Sequence, residues 1–493
     1  MRRKTVFILI FLAITLNCMS QLPKTTFYFR EVFNYANAPK KMRIQVFKNY
    51  FPSLEIIDTV ITSNISDFSI RNRKFPSTGV MRVSYPEVIG GALIRMYYFN
   101  SDDQVTIRRR GTESVFEGTG YLKYKCQDEV FSRYYDSATV RIKRNTLYEL
   151  MAAELRALDS MERIRIAIIR SCEKNLGKEL CSTLDIDNQS QKWHQFFLRW
   201  WARFISATKD SDRVSIAAFY KDHLQHLDTL TRLASAGKSV IYPAAIFEYA
   251  RFTNSVSAYL TPPDSAARAV SFNQIWHKLS AIRDNIGRQR ARLFLLTQNG
   301  SLPGADSLDY LLAALKKNIH PSLRKTAQAL IEKQQQGLPV KYFSFLDALG
   351  RRTSSTLMKG KTVLVDFWFT GCKGCVQIAP YMKKIADSLK NQSDVLIVSV
   401  SADRDRSQWM ESVNAEIYGS LHELNLYAGP SGKDHPFFKF YTITGFPTLM
   451  LIDRKGTMYQ HSVVPPRNDR AVMQLISLLN KITRLTEGNL NLK

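Results

Sequence analysis

The sequence predicts a multidomain chain: an N-terminal antiparallel β domain, a central α-helical domain and a C-terminal α/β domain. Three observations predict it. Up to about Gly120, short alternating apolar and polar runs are separated by turn residues roughly every ten positions, the rhythm of a small sandwich or barrel. From 137 to 335, apolar residues recur at three- and four-residue spacing, as on packed helices. Beyond Gly337 and Pro339, buried-strand and helical patterns alternate, which argues for an α/β domain. At 493 residues the chain also exceeds the roughly 250 at which single cores stop growing.

The first segment, 1–20, reads as an export signal. Arg2, Arg3 and Lys4 precede an apolar stretch from Val6 to Leu16, too short for the ~20 residues that span a bilayer. Small residues at Cys18 and Ser20 suit cleavage before Gln21. Lipidation of Cys18 is the alternative, although Thr15-Leu16-Asn17 is a poor lipobox. Either route predicts an exported protein of the periplasm or cell envelope, in an oxidising compartment.

The β domain is assigned to 21–136 from the runs KKMRIQVF, EIIDTVIT, DFSIRNR, GVMRVSY, ALIRMYYF and QVTIRRR. The helical domain, 137–333, rests on NTLYELMAAELRAL, FYKDHLQHLDTLTRLA and SLDYLLAALKKN. A linker, 334–343, follows where helical periodicity ends in Gly337 and Pro339. In 344–493, TVLVDFWF and DVLIVSVS read as buried strands, each followed by a helix, CVQIAPYMKKIADSLK and RSQWMESVNA. PTLMLID and TMYQHSV form a hairpin turning at Arg454-Lys455-Gly456, and NDRAVMQLISLLNKI is a closing amphipathic helix.

The formal charge of +26 invites a nucleic-acid reading. Its distribution weakens that reading: 49 Lys/Arg stand against 30 Asp/Glu before residue 337 and 20 against 13 from it onward, with no dense basic run beyond Arg108-Arg109-Arg110. Solvated surface accounts for the charge.

Two of the six cysteines, Cys372 and Cys375, lie three positions apart in FTGCKGCVQIAP. A zinc clip needs a second ligand pair, and His422, His435 and His461 are singly placed, so no metal is expected. A structural staple closing so small a loop removes little chain entropy. The redox reading has a mechanism: a helix beginning at the motif puts Cys372 at its N-terminus, where N–H groups and the dipole favour a thiolate. Cys375, one turn in, is placed to attack a mixed disulfide formed on Cys372. No cofactor is required.

VDFWFTGCKGC before a helix, TGFPT before a strand and LIDRKG at a hairpin resemble the thioredoxin superfamily, and within it the TlpA/ResA-like exported thiol-disulfide oxidoreductases, over about residues 337–485. The resemblance implies a thioredoxin-like fold and protein thiol or disulfide substrates. It implies that Cys372 is the attacking nucleophile, that Cys375 resolves, and that Pro447 is cis and faces them. Phe446 and Thr448 would lie beside the dithiol and pair with an extended substrate segment; Lys373 and Gly374, between the cysteines, are further candidates for substrate contact. Asp366 lies inside an apolar run, where an unpaired carboxylate is costly. The resemblance makes it a buried acid with a raised pKa that helps deprotonate Cys375. A membrane electron-donor protein would recharge a reductase of this kind; an oxidase or isomerase is the alternative direction. A cell-envelope binding protein using the fold only as a scaffold is the other class, but its expected mark is a lost cysteine or proline, and this chain keeps both.

The chain departs from the family in three places. Ile378 stands where many relatives have glutamate, Lys373-Gly374 replaces Gly-Pro, and Gly371 replaces tryptophan. The peroxiredoxin pattern P-x-x-x-T-x-x-C meets Val365 and Phe369 and fails.

Upstream, Cys172 and Cys181 flank Asn175-Leu176-Gly177. A continuous helix would hold them about 13.5 Å apart, whereas a turn there permits a disulfide; a bond between them and two free buried thiols stand as equals, with Cys126 left over. His223 and His226 lack companions for a metal site, and Trp193, Phe196, Phe197, Trp200 and Trp201 fit a helical core stripe. The upstream regions resemble, more weakly, the β-rich and helical parts that precede TlpA-like domains.

Overall fold

The computed structural model describes residues 27–35, 38–47, 57–72, 76–85, 94–110, 113–135, 146–260, 272–297, 319–334, 337–420, 422–441, 443 and 445–488. The signal segment with Cys18, and SLDYLLAALKKN, lie outside them. The chain divides into two compact units, Met1–Val256 with Ile282–Arg288, and Ser257–Ala281 with Gln289–Lys493. The division falls within the helical stretch, between Val256 and Ser257.

In the first unit, β1 (Phe27–Phe33), β2 (Lys41–Phe47), β3 (Ile57–Thr62), β4 (Asp67–Asn72), β5 (Thr78–Ser84), β6 (Ile94–Asn100), β7 (Gln104–Arg110) and β8 (Glu113–Thr119) form two four-stranded sheets, ordered β4-β1-β7-β8 and β3-β2-β5-β6. Alternation supplies a shared core: Phe27 and Phe29, Met42 and Ile44, Tyr97 and Phe99, and Val105 and Ile107 all point into it. The predicted antiparallel character holds for every pair but one: β1 runs parallel to β7, from which five strands separate it.

The same alternation carries the middle of the basic run indoors. Arg109 is buried and bonds Glu31 at 2.6 Å and Asp128 at 2.7 Å, so only its neighbours belong to the solvated surface. Removing one partner would leave a buried charge unpaired.

Helices α1 (Tyr121–Tyr135), α2 (Leu147–Ser171), α3 (Glu173–Leu176), α4 (Lys178–Ser206), α5 (Asp210–Phe219), α6 (Thr229–Arg232) and α7 (Tyr242–Leu260) follow. Val80 and Tyr98 on the second sheet pack with Val130, Ile169, Leu184 and Ile241, which joins helices and sheet in one core. On α4 the stripe Trp193, Phe196, Phe197 and Trp200 is buried as expected, while Trp201 is half-buried beneath the Arg251 guanidinium, 3.3 Å from its ring centre. The helix expected through FYKDHLQHLDTLTRLA is interrupted by a π-helical turn at Tyr220–Leu224, where His223 meets Tyr148. Among the described residues no group of His, Cys, Asp or Glu could hold a metal ion.

The tentative Cys172–Cys181 pairing is corrected. Gly177, at φ 76°, does break the helix, but Cys172 is bonded to Cys126, with their Cα atoms 6.1 Å apart. Helix α1 packs on α2 and brings Cys126 to the C-terminal end of that helix. Cys181 is free and buried, its sulfur against the Ile169 carbonyl. The bond spans 46 positions, for which loop entropy gives about 4 kcal/mol. Cys126→Ser is therefore expected to destabilise this unit by about 2–4 kcal/mol in urea unfolding, and reductant should remove the difference between variant and parent.

In the second unit, helices α8 (Phe272–Leu279), α9 (Asn285–Thr297, whose first turn belongs to the first unit) and α10 (Arg324–Gln334) precede a seven-stranded sheet. Its strands are β9 (Ser344–Leu346), β10 (Arg352–Ser354), β11 (Thr362–Trp368), β12 (Val395–Ser401), β13 (Leu424–Tyr427), β14 (Thr448–Ile452) and β15 (Met458–Val463), in the order β10-β9-β13-β12-β11-β14-β15. The three central strands β13, β12 and β11 are parallel. Helices α11 (Lys373–Leu389), α12 (Arg406–Asn414), α13 (Pro436–Tyr441) and α14 (Asp469–Gly488) complete it.

Every residue of β11 is buried, because both faces of the sheet are covered. Val363, Val365 and Phe367 pack with Val398, Val400, Phe437 and Phe438. Leu364 packs with Ile378, Met382 and Leu479 on the opposite face, toward α11 and α14. Asp366 and Trp368 share that second parity.

From Gly337 the stretch expected as a linker makes backbone hydrogen bonds to the β14–β15 hairpin. Gly337 N–H donates to the Met458 carbonyl at 2.8 Å, Met458 N–H to the Leu338 carbonyl at 2.8 Å, and Val340 N–H to the Gly456 carbonyl at 3.0 Å. Glycine and proline do end the helical pattern, but the extended chain they start lies along the edge of the β14–β15 hairpin.

Candidate active site

Strand β11 ends at Trp368, and three residues later the chain turns into α11. Trp368 stacks on Tyr418 with ring centres 4.5 Å apart and donates its indole N–H to Ser399 Oγ at 2.7 Å. Thr370 donates its N–H and its hydroxyl to the Asp403 carboxylate at 2.9 and 2.8 Å, and Gly371 N–H donates to the Tyr418 hydroxyl at 2.6 Å. Gly371 has φ 94°, which a tryptophan would adopt only with strain.

These bonds fix the start of α11, where Cys372 is the N-cap. Its Sγ accepts the Cys375 N–H at 3.1 Å, in the position where a negative sulfur gains most from unpaired helix donors. Cys372 and Cys375 are joined by a disulfide, their Cα atoms 5.3 Å apart, and are 5% and 1% exposed. Lys373 is exposed at the first helical position.

The Phe446–Pro447 peptide is cis, as the resemblance implied. Pro447 lies against the helix start: a Cβ added to Gly374 would sit 3.2 Å from Pro447 Cδ and 3.8 Å from the Phe446 carbonyl oxygen. Gly374 is thus the residue that lets the loop approach. Thr448 opens β14 beside Phe367 of β11, its hydroxyl donating to the Gly445 carbonyl at 2.7 Å, so it is tied into the sheet. The Phe446 ring meets Phe369 edge-on at 5.4 Å, and the Lys433 ammonium lies 3.8 Å from the Phe369 ring centre and 5.3 Å from that of Phe446. Lys433 was not singled out by the sequence, since nothing local marks it; the fold brings it to the rim.

Asp366 is 1% exposed, and its Oδ1 has no hydrogen-bond partner among the described residues. Burial pushes its pKa up to about 8, so the carboxyl is mostly protonated near neutrality. It lies two residues before Trp368 on the face where Trp368 packs with Cys372 and Cys375. A second buried acid shares this environment. Glu423, just ahead of β13, is also pushed up to about 8, first by burial and then by the Asp366 charge.

The model of the Thioredoxin-like family matches residues 360–458, the span from β11 through the hairpin turn. The C-terminal domain is thioredoxin-like. Thiol-disulfide oxidoreductase ResA of Bacillus anthracis is 28% identical over 152 residues, 31% of this chain and 81% of that protein. The thioredoxin-like protein YneN of Bacillus subtilis is 27% identical over 124 residues, 25% of this chain and 69% of that protein. A thiol:disulfide interchange protein from Bacteroides sp., solved in solution, is 25% identical, covering 30% of this chain and 92% of its own, with a TM-score of 0.27. The thioredoxin-like domain therefore has thiol-disulfide oxidoreductase relatives. Among the described residues no helix is long and apolar enough to cross a membrane.

Proposed function

We propose that this protein is an exported thiol-disulfide oxidoreductase that reduces protein disulfides through Cys372 and Cys375. The observation that carries the reading is the Cys372–Cys375 pair at the N-terminus of α11, facing cis-Pro447, with a buried carboxyl on the strand behind it. The names of the relatives point the same way.

In the reduced protein the Cys372 thiolate attacks a substrate disulfide, and the first substrate sulfur leaves as a thiolate that takes a proton from solvent. The Cys375 thiol then gives its proton to the ionised form of Asp366, a minority near neutrality that grows toward pH 8, and its sulfur attacks Cys372. The Cys372–Cys375 bond forms, the bond to substrate breaks, and the second substrate sulfur leaves and is protonated. Two electrons pass from the dithiol to the substrate. An Asp366 pKa near 8 lies close to the ordinary thiol value of about 8.5, the match that proton transfer favours. Phe446 and Thr448 present backbone to an extended substrate segment, with Lys373 and Gly374 on the opposite lip. A membrane electron-donor protein re-reduces the pair, because soluble nicotinamide reductants are not expected outside the cytoplasm. The segment 1–20 directs export, by cleavage or by lipidation at Cys18.

The test is a redox titration of the Cys372–Cys375 pair in thiol–disulfide buffers. A potential near the thioredoxin value of about −270 mV supports the reductase. A value towards about −120 mV makes the protein a disulfide-forming catalyst instead. A pair that cannot be cycled ends the enzyme reading.

A further inference from the structure

We infer that Glu423 is a positioning residue for this exchange reaction: Glu423 and Asp366 are two buried carboxyls on one face of the sheet, on either side of Ser399, and the charge on Glu423 sets how readily Asp366 accepts the proton of Cys375. The inference rests on the thiol-exchange reading proposed above.

Three adjacent parallel strands place the groups in a row. Asp366 of β11 is directly opposite Ser399 of β12, and Ser399 is opposite Asn425 of β13. Glu423 stands two residues before Asn425, just ahead of the strand, and the Asp366 charge acts on it, which puts its carboxyl on the Asp366 face of the sheet. That is the face bearing Trp368, Cys372 and Cys375. The Glu423 carboxyl reaches back toward Ser399: a Cβ placed on Gly419 would stand 2.6 Å from Glu423 Oε2 and 3.5 Å from Ser399 Oγ. Glycine at 419 therefore keeps open the space the carboxyl occupies.

Glu423 is 7% exposed, and neither of its carboxyl oxygens has a hydrogen bond of ordinary geometry among the described residues. The Ser420 backbone N–H offsets only part of the burial. A lone carboxylate in that setting is costly, and two close together more so, since the first to ionise raises the second. Ser399, whose hydroxyl accepts from Trp368 Nε1, stands between the two acids in the register of the three strands. The other charged groups that act on Glu423 are Asp387 and Glu416, which also disfavour its ionised form. Both are half-exposed and engaged, Asp387 with His422 and Glu416 with Lys383. Of the charges acting on Glu423, that of Asp366 has the largest effect. Glu423 thus supplies a second acid near the dithiol in a chain whose position 378 is isoleucine.

The pair is expected to titrate in two linked steps. The experiment follows the carboxyl-carbon NMR signals of Asp- and Glu-labelled full-length oxidised protein against pH, with assignment by Asp366→Asn and Glu423→Gln. In the parent, both signals should move in both steps. In Glu423→Gln, the Asp366 step should become single and fall by at least about one pH unit, and the pH profile of Cys375 alkylation in the reduced protein should fall with it. An unmoved Asp366 midpoint would overturn the inference. So would two independent single-step curves in the parent, a result that requires no variant to fold. The carboxyl titration uses oxidised protein without turnover, so a dithiol that cannot be cycled would end the functional proposal while this reading stood or fell separately.

Discussion

Cys375→Ser is expected to convert the protein into a trap. Cys372 still attacks a substrate disulfide, but the sulfur that would resolve the mixed disulfide is gone. Covalent complexes should accumulate, visible on non-reducing gels and released by dithiothreitol. Cys372→Ser should form none, because the sulfur at the helix N-terminus is the activated one and Cys375 is almost fully buried. Multiple-turnover reduction should fall at least about 10³-fold in either variant, as expected when members of one catalytic unit are removed. Trapping by Cys372→Ser with equal yield would reverse the roles assigned to the two cysteines.

Asp366→Asn is expected to stabilise the protein while slowing it. In the folded protein the carboxyl holds its proton up to about pH 8, whereas unfolded it would lose it near 3.9. Between those values the folded state binds the extra proton, so stability falls as pH rises through about 4 and levels off above about 8. Below pH 4 both states are protonated and the effect vanishes. The variant escapes this loss and should gain about 2–4 kcal/mol at pH 7, growing toward pH 8. Urea unfolding at pH 4, 7 and 8.5 reads it directly, and a gain independent of pH would show that the carboxyl is not the cause. The resolving step should slow about tenfold to a hundredfold with loss of its proton acceptor.

The dithiol, Asp366 and Pro447 were legible because each sits in a short, distinctive stretch of sequence whose meaning does not depend on distant partners. The strands TVLVDFWF and DVLIVSVS were legible for a related reason, since uninterrupted burial on both faces leaves continuous apolar runs. Glu423 was not. The strand that follows it, LNLY, is four residues long with a polar residue inside it, and only its pairing with β12 shows where the acid ahead of it lies. The partner of Cys172 was hidden too, since a bond across 46 positions depends on how α1 packs. Arg109 looked like surface because charge runs usually are; its alternation within β7 decided otherwise.

The strip from Gly337 to Val340 determines where this domain can be cut. Excision at residue 344 would strip the backbone partners from Gly456 and Met458 and leave the hairpin with a bare edge, ready to pair with another molecule. It would also remove α10, which packs on β15 and α13. A fragment that begins before Arg324 keeps this edge covered, and its behaviour in isolation reports on the domain rather than on an artificial sticky border.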